Sequence, residues 1–395
     1  MAPPRKVTLA ERRARLGTAH RLTPASAAAD PVAVTESMLA LHATDPATVY
    51  LSAAARMTQP DHAALERAQY ETGELVRILA MRRTMFVVTA ATAPVVQAAV
   101  SDTIAAGLLR RYGQMLEQAG VAKDGAAWLS RAGDAAIATL RNRGDLTGAE
   151  LGRETPLLQT RVSLFQGKAY ASNSNVTGWV TTWLAAEGRI LRGRPLGSWT
   201  SNQYRWRVAD PPPEVPGDEG RDAARSELAR LWLRSFGPAS AADLRWWTGW
   251  TAGETRLAIA RLAVEPVDLD GLAGIALSED NEPVPDPGRW AALLPALDPT
   301  PMGWTNRDWY LGDHAAQLFD RTGNIGPTVW VDGRVVGGWA QRPDGSIGTA
   351  LLEDVGTAKR EISAAAKAMS EAIGEARVTV RGRIRTPLEA SLAAL

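Results

Sequence analysis

Gly237-Pro238-Ala239-Ser240 ends one helical run and starts another, and the fold class follows from what flanks it. Residues 221–235 upstream carry the apolar spacing of a helix. A short helix leaves Ser240, and a third runs from Thr251-Ala252-Gly253-Glu254 to about Leu262. Residues 266–269 and 275–278 then read as two strands joined by a turn. Three helices followed by a hairpin is the winged-helix order, a helix-turn-helix variant whose third helix or wing usually meets nucleic acid.

The same order recurs twice upstream. The first copy opens on the capping box Thr8-Leu9-Ala10-Glu11, continues through helices near 31–41, 46–56 and 61–72, and closes on strands 76–79 and 85–89 around Arg82-Arg83. The second has a helix near 126–142 and the capping box Thr147-Gly148-Ala149-Glu150. An irregular stretch holding Gln166-Gly167-Lys168 follows, then a helix over 176–187 that Gly188 ends. Trp179 and Trp183 lie four apart on that helix, a spacing that points to core packing more than to a stacking platform. A hairpin of 189–191 and 204–208 completes the copy. The prolines of Asp210-Pro211-Pro212-Pro213 can neither extend a ladder nor enter a helix interior, so 210–220 reads as a linker. The expected division is unit one at 1–124, unit two at 125–209, the linker, unit three at 221–284, and a β-rich domain at 285–395.

In that last domain, strands over 328–331, 334–341 and 346–352 are separated by Asp332-Gly333 and Pro343-Asp344-Gly345. Asp-Gly between β-branched runs is a strong hairpin signal. After a helix at 356–373, the stretch Arg377-Val378-Thr379-Val380-Arg381-Gly382-Arg383-Ile384-Arg385 puts four arginines on one face of an expected strand. They form either a basic stripe for a polyanion or the charge that keeps an edge strand from pairing.

Lys+Arg 44 against Asp+Glu 43 leaves the chain near neutral, which argues against a general polyanion binder but not against a local basic face. The absence of cysteine rules out disulfides and thiolate-built metal sites, and with four histidines no metal or cofactor is expected. Met1-Ala2-Pro3-Pro4-Arg5-Lys6 has no apolar signal core and no run of about 18 apolar residues follows, so a cytoplasmic protein is expected.

The chemically suggestive stretch is Leu41-His42-Ala43-Thr44-Asp45-Pro46. Asp30-Pro31 and Asp45-Pro46 each read as an N-cap followed by proline at the first helical position, so these residues fill a short gap between two helices. His42 and Thr44 are two apart, and an extended link would aim both at one point. That point lies beside the positive end of the second helix dipole, which favours a neutral imidazole able to take a proton. The same residues would also serve simply to cap and solvate a helix junction.

Taken together, several motifs resemble the AlkZ/YcaQ-type winged-helix DNA glycosylases. They are Leu41-His42-Ala43-Thr44-Asp45-Pro46, Met81-Arg82-Arg83-Thr84-Met85, Gln166-Gly167-Lys168-Ala169-Tyr170, and Gly237-Pro238-Ala239-Ser240 with Asp243 and Trp247. Leu293-Leu294-Pro295-Ala296-Leu297-Asp298 and the run from Gly326 to Gly337 complete the set. The resemblance spans nearly the whole chain. It implies a mainly α fold with β (α+β), with three tandem winged helices and a C-terminal β-barrel-like domain around a DNA channel. It also implies hydrolysis of the N-glycosidic bond of bulky N7-alkylguanines, in some members within interstrand crosslinks. Members with established activity carry Gln-x-Gln or Gln-x-Asp where this chain has His42-Ala43-Thr44.

The chemistry tolerates that replacement, because an N7-alkylated guanine is cationic and already a good leaving group. What the protein must do is hold a water under the anomeric carbon, and a neutral His42 can take its proton. Thr44 would orient the water, and Asp45 would supply negative charge where its carboxylate is not engaged as a cap. Arg82, Arg83, Gln166, Lys168, Arg334, Arg381, Arg383 and Arg385 are the candidate contacts to double-stranded DNA, with Arg334 on a hairpin of the size that enters a minor groove. The expected form is a monomer. The competing readings are a non-catalytic winged-helix regulator and a protein that binds an alkylator or its lesion without cleavage.

Overall fold

The computed structural model describes residues 3–164, 172–210, 214, 216–378 and 384–394. The helices Pro31–Met38, Pro46–Ala54 and His62–Tyr70 each start at an aspartate, Asp30, Asp45 or Asp61, whose carboxylate accepts a backbone N–H two or three residues on. They pack on a three-stranded antiparallel sheet in the order Leu41–His42, Thr84–Thr89, Leu75–Ala80. The first helix stops at Met38, short of the expected 41. Leu39 takes φ 61° and ψ −45°, and the Ala40 N–H reaches the Met38 carbonyl at 2.6 Å. That is the geometry of the strained γ-turn, and it turns the chain out of the helix into the strand carrying His42.

Beyond this sheet a helical run from Ala93 to Gln118, with one π turn at Gln97–Ser101, packs against the helix Gly125–Arg143. Gly113 and Gly125 let the two backbones meet, since a Cβ on Gly125 would lie 2.0 Å from the Gly113 carbonyl oxygen. The capping box at Thr147 and Glu150 forms as expected. At the chain start Thr8 caps its helix, but the Glu11 carboxylate turns to Arg5 and Arg15 instead of closing the box. Trp183 is buried against Gly133, and Trp179 stacks on Tyr112 at 5.2 Å, so both belong to packing.

The third group comprises the helices Asp218–Phe236, Ala241–Thr248 and Ala252–Ala260 and the strands Val264–Asp268 and Ala273–Leu277. Its sheet is completed by Arg5–Lys6 from the far end of the chain, paired in parallel with Val267 and Asp268. Gly237-Pro238 is a cis peptide bond. Asp243, fully buried, accepts from Ser240 N and Oγ and from the backbone N–H groups of Thr305 and Asn306, tying this group to the C-terminal region.

In the C-terminal region Ala291–Leu294, Thr328–Val331, Arg334–Gln341 and Ile347–Leu351 form an antiparallel four-stranded sheet. Among the described residues it stays open, so the expected barrel-like closure is not found, and the sheet is covered by the helices Lys359–Ile373 and Pro387–Ala393. The architecture is mixed α+β. Arg56 and Asp298, both fully buried, fasten this sheet to the first one through two parallel hydrogen bonds of 2.8 and 2.7 Å. Ser52 Oγ donates to Asp298, Arg56 donates to Thr300 Oγ1, and His20 bridges Thr300 Oγ1 and the Ser235 carbonyl. With its charges paired and hydrogen-bonded, the cluster avoids the cost of a lone buried ion.

Candidate active site

The strand Leu41–His42 pairs with the first hairpin, His42 opposite Phe86, and the Ala43 N–H continues the ladder to the Met85 carbonyl at 2.8 Å. The link between the two helices is thus extended, held by main-chain hydrogen bonds on one side. His42 is 7% exposed and its ring meets Phe86 edge-to-face at 5.6 Å. Thr44 is half-buried. Asp45, as buried as His42, accepts from the Ala47 N–H at 3.0 Å through Oδ1 and so caps the following helix. Strand, γ-turn and cap together fix the backbone that carries these three side chains.

Asp45 also opens onto a cavity of about 520 Å³ between the helix it caps, the 320–327 loop, the central strand of the C-terminal sheet and the last helix. Leu51, Trp339 and Ile384 supply apolar wall, and Asp45, Arg385 and Glu389 supply charge. Glu389 is the residue that sequence reasoning missed. It is 6% exposed, its Oε2 has no hydrogen-bond partner, and burial pushes its carboxyl up to about 7 against the pull of Arg385 and the Thr386 N–H. The one signal available was Thr386-Pro387-Leu388-Glu389, the spacing of a capping box, which says nothing about a cavity. Asp320 borders the same space. Burial pushes its carboxyl up, but hydrogen bonds from Asn324 and Thr322 outweigh that and hold it below its ordinary value.

The basic candidates are scattered. Arg82 and Arg83 both take left-handed backbone at the tip of the first hairpin, with φ 55° and 61°. Arg83 is exposed, whereas Arg82 lies over the Trp246 ring at 4.0 Å and is half-buried, so its guanidinium is already engaged. Arg334 pairs with Glu353. The Asp332-Gly333 tip beside it is docked, because Gly333 packs so closely on the helix Leu9–Ala19 that a Cβ there would lie 2.5 Å from Arg13 Cβ. The neighbouring tip at Pro343–Asp344 is exposed and holds Arg377, whose guanidinium donates to the Asp344 carbonyl. Arg385 is exposed at the cavity. Gln166, Lys168, Arg381 and Arg383 lie outside the described residues.

Among the described residues no three His, Asp or Glu side chains are grouped to hold a metal, and no helix is long and apolar enough to cross a membrane. The model of the family described as DNA glycosylase AlkZ-like matches residues 35–376. The solved structure of the Streptomyces sahachiroi DNA glycosylase AlkZ superposes with a TM-score of 0.73 over 95% of this chain and 99% of that one, at 20% sequence identity. No curated protein matches the sequence.

Proposed function

The chain belongs to the AlkZ-like DNA glycosylase family, and from that premise we propose that it hydrolyses the N-glycosidic bond of guanines carrying a bulky N7 alkyl group, including those in interstrand crosslinks. DNA glycosylase function is what the family and the fold support. The observation that carries the finer reading is that His42, buried on a sheet strand, sits three residues before an aspartate that opens onto a cavity.

In the proposed reaction a water oxygen bonds to C1′ of the damaged nucleotide as the C1′–N9 bond breaks. The bonding pair leaves with the base and cancels its positive charge, so no acid is needed for departure. His42 takes the water proton, Thr44 orients the water, and the Asp45 carboxylate stabilises the oxocarbenium-like sugar. Three winged helices, divided at 1–124, 125–209 and 221–284, would lay the duplex across the C-terminal region at 285–395. Support for that division is the repeated order of helices and hairpin. Arg83, Arg334, Arg385 and the tip at Pro343–Asp344 would meet phosphates, together with Gln166, Lys168, Arg381 and Arg383. The protein would act as a monomer in the cytoplasm.

The test is single-turnover release of base from an N7-alkylguanine duplex. His42→Ala should lose on the order of 10²–10⁴ in rate and Thr44→Val less, with melting curves in place. Wild-type rates in His42→Ala at saturating substrate would remove His42 from the chemistry. The replacement of Gln-x-Gln or Gln-x-Asp by His42-Ala43-Thr44 favours a second reading, a non-catalytic DNA binder, which forecasts retention of alkylated duplex with no base released by the wild type.

A further inference from the structure

The cavity beside Asp45, at about 520 Å³, has the size of a pocket for a small organic group. Most of its hydrogen-bonding side chains are already committed to the protein itself. Thr48 Oγ1 donates to the Ala296 carbonyl, and the Gln341 amide donates to the Gly345 and Ala376 carbonyls while its oxygen accepts from the Val378 N–H. The Asp320 carboxylate is taken up by Thr322 and Asn324, and the Trp339 indole N–H by the Leu294 carbonyl. Glu389 adds nothing, since one oxygen takes the Thr386 N–H and the other is buried out of reach. What remains on the wall is carbon, from Leu51, Ala296, Ile325, Trp339 and Ile384. A base edge is read through hydrogen bonds and finds few side-chain partners here. An apolar group gains by leaving water for such a wall.

Charge enters at the border. Asp45 adjoins the cavity on the helix it caps, and Arg385 stands exposed on another element. The carboxylate suits the cationic imidazole ring of an N7-alkylated guanine, and the guanidinium suits a flanking phosphate. Covalent geometry then decides which part of the nucleotide meets the cavity. N7 and N9 belong to the same five-membered ring, so a substituent on N7 projects from the ring that is bonded to C1′ and away from the Watson–Crick edge. A space adjoining residues that act at C1′ is therefore placed for that substituent.

Building on the function proposed above, we infer that this cavity receives the apolar substituent on N7 of a guanine whose nucleotide has turned out of the helical stack, and that it selects bulky adducts over small ones. The guanine ring stays at the mouth beside Asp45. Burial of a large substituent offsets the cost of unstacking. A methyl group buries little and leaves most of the cavity unfilled.

Affinity for a duplex that resists cleavage tests the cavity apart from catalysis. A fluorine on C2′ withdraws electrons from C1′ and slows departure of the base, so the full-length protein can be titrated with fluorinated duplexes carrying N7-benzylguanine or N7-methylguanine. Wild type should bind the benzyl duplex at least about tenfold more tightly than the methyl one. Ala296→Phe and Ile384→Trp fill the cavity from two different elements. Each, checked for folding by its melting curve, should lose affinity for the benzyl duplex until the preference is gone. No benzyl preference in wild type would overturn the inference. The same preference in a folded variant would also overturn it, whether affinity for both duplexes is kept or falls together. Base release from unfluorinated N7-benzylguanine duplex by the wild type is measured in parallel. Release without a cavity-dependent preference would leave the glycosylase reading standing and this role of the cavity refuted, and the preference without release would do the reverse.

Discussion

Replacing Glu389 by glutamine should stabilise the protein increasingly as pH rises from about 4.5, and in full above about 7. The carboxyl moves from an ordinary 4.5 to about 7 because burial penalises its charged form, while Arg385 and the Thr386 N–H pull it back and Asp45 and Asp320 border the same cavity. Below about pH 4.5 folded and unfolded chains both hold the proton, and the group contributes no pH dependence. Between 4.5 and 7 the folded chain keeps a proton that the unfolded chain has lost, so stability falls as pH rises. Above 7 the loss is complete. At about 1.4 kcal/mol per tenfold change in proton affinity, it comes to roughly 3 kcal/mol. Glu389→Gln carries no charge at any of these pH values, so it should gain up to that amount at pH 8 relative to its offset from wild type at pH 4. Melting curves of both proteins from pH 4 to 8.5 measure the difference directly, and a gain of this size should appear as a few degrees. Curves that stay parallel across that range would show that water reaches the carboxylate, and the reasoning from burial would be wrong.

Other expectations follow from the same contacts. Asp298→Ala leaves the Arg56 guanidinium buried without its partner and should cost about 3–5 kcal/mol in denaturant unfolding; a loss under 1 kcal/mol would mean that the site hydrates. His20, buried and facing Arg56, is pushed down to about 3 although Asp298 and the Ser235 carbonyl oppose the shift, so stability should fall as pH drops below 6.5. His20→Gln should lose less between pH 6 and pH 4, and an acid profile identical to wild type would place the sensitivity elsewhere. Gly333→Ala forces a Cβ against Arg13 and should destabilise by roughly 1–3 kcal/mol, whereas deletion of the exposed tip at Pro343–Asp344 should leave melting nearly unchanged and weaken DNA binding. Arg83→Gln and Arg385→Gln should weaken binding to all duplexes alike and flatten its dependence on salt, and unchanged affinity at low salt would turn these residues away from the DNA face.

What could be read without coordinates was whatever the chain encodes locally. Asp30, Asp45, Asp61, Ser240 and Thr251 cap helices in the structure because an N-cap needs only its own next three residues. The Asp332-Gly333 hairpin forms for the same reason, its two left-handed residues being the pair that Asp-Gly supplies most easily. What the tip touches is a matter of tertiary placement, and Arg13 stands more than three hundred residues away in the chain. The stacking of Arg82 on Trp246 escaped for that reason too. His42 and Asp45 stood out because their motif is contiguous. Glu389 did not, since its burial is assembled from segments distant in the chain. Leu39 shows the opposite limit, because nothing about a leucine between Met38 and Ala40 announces a γ-turn.

The parallel pairing of Arg5–Lys6 with Val267 and Asp268 sets a schedule for the ribosome. Arg5 and Lys6 belong to a sheet whose other strands are synthesised about 260 residues later. At roughly 5–20 residues per second that is a wait of about 13–52 s, during which Arg5–Lys6 has no edge to join. The caps and hairpin of the first sheet can form meanwhile from residues already translated. Slow or failed docking of that segment should then show itself as protease cleavage ahead of Leu9 in newly made chains and vanish in mature protein.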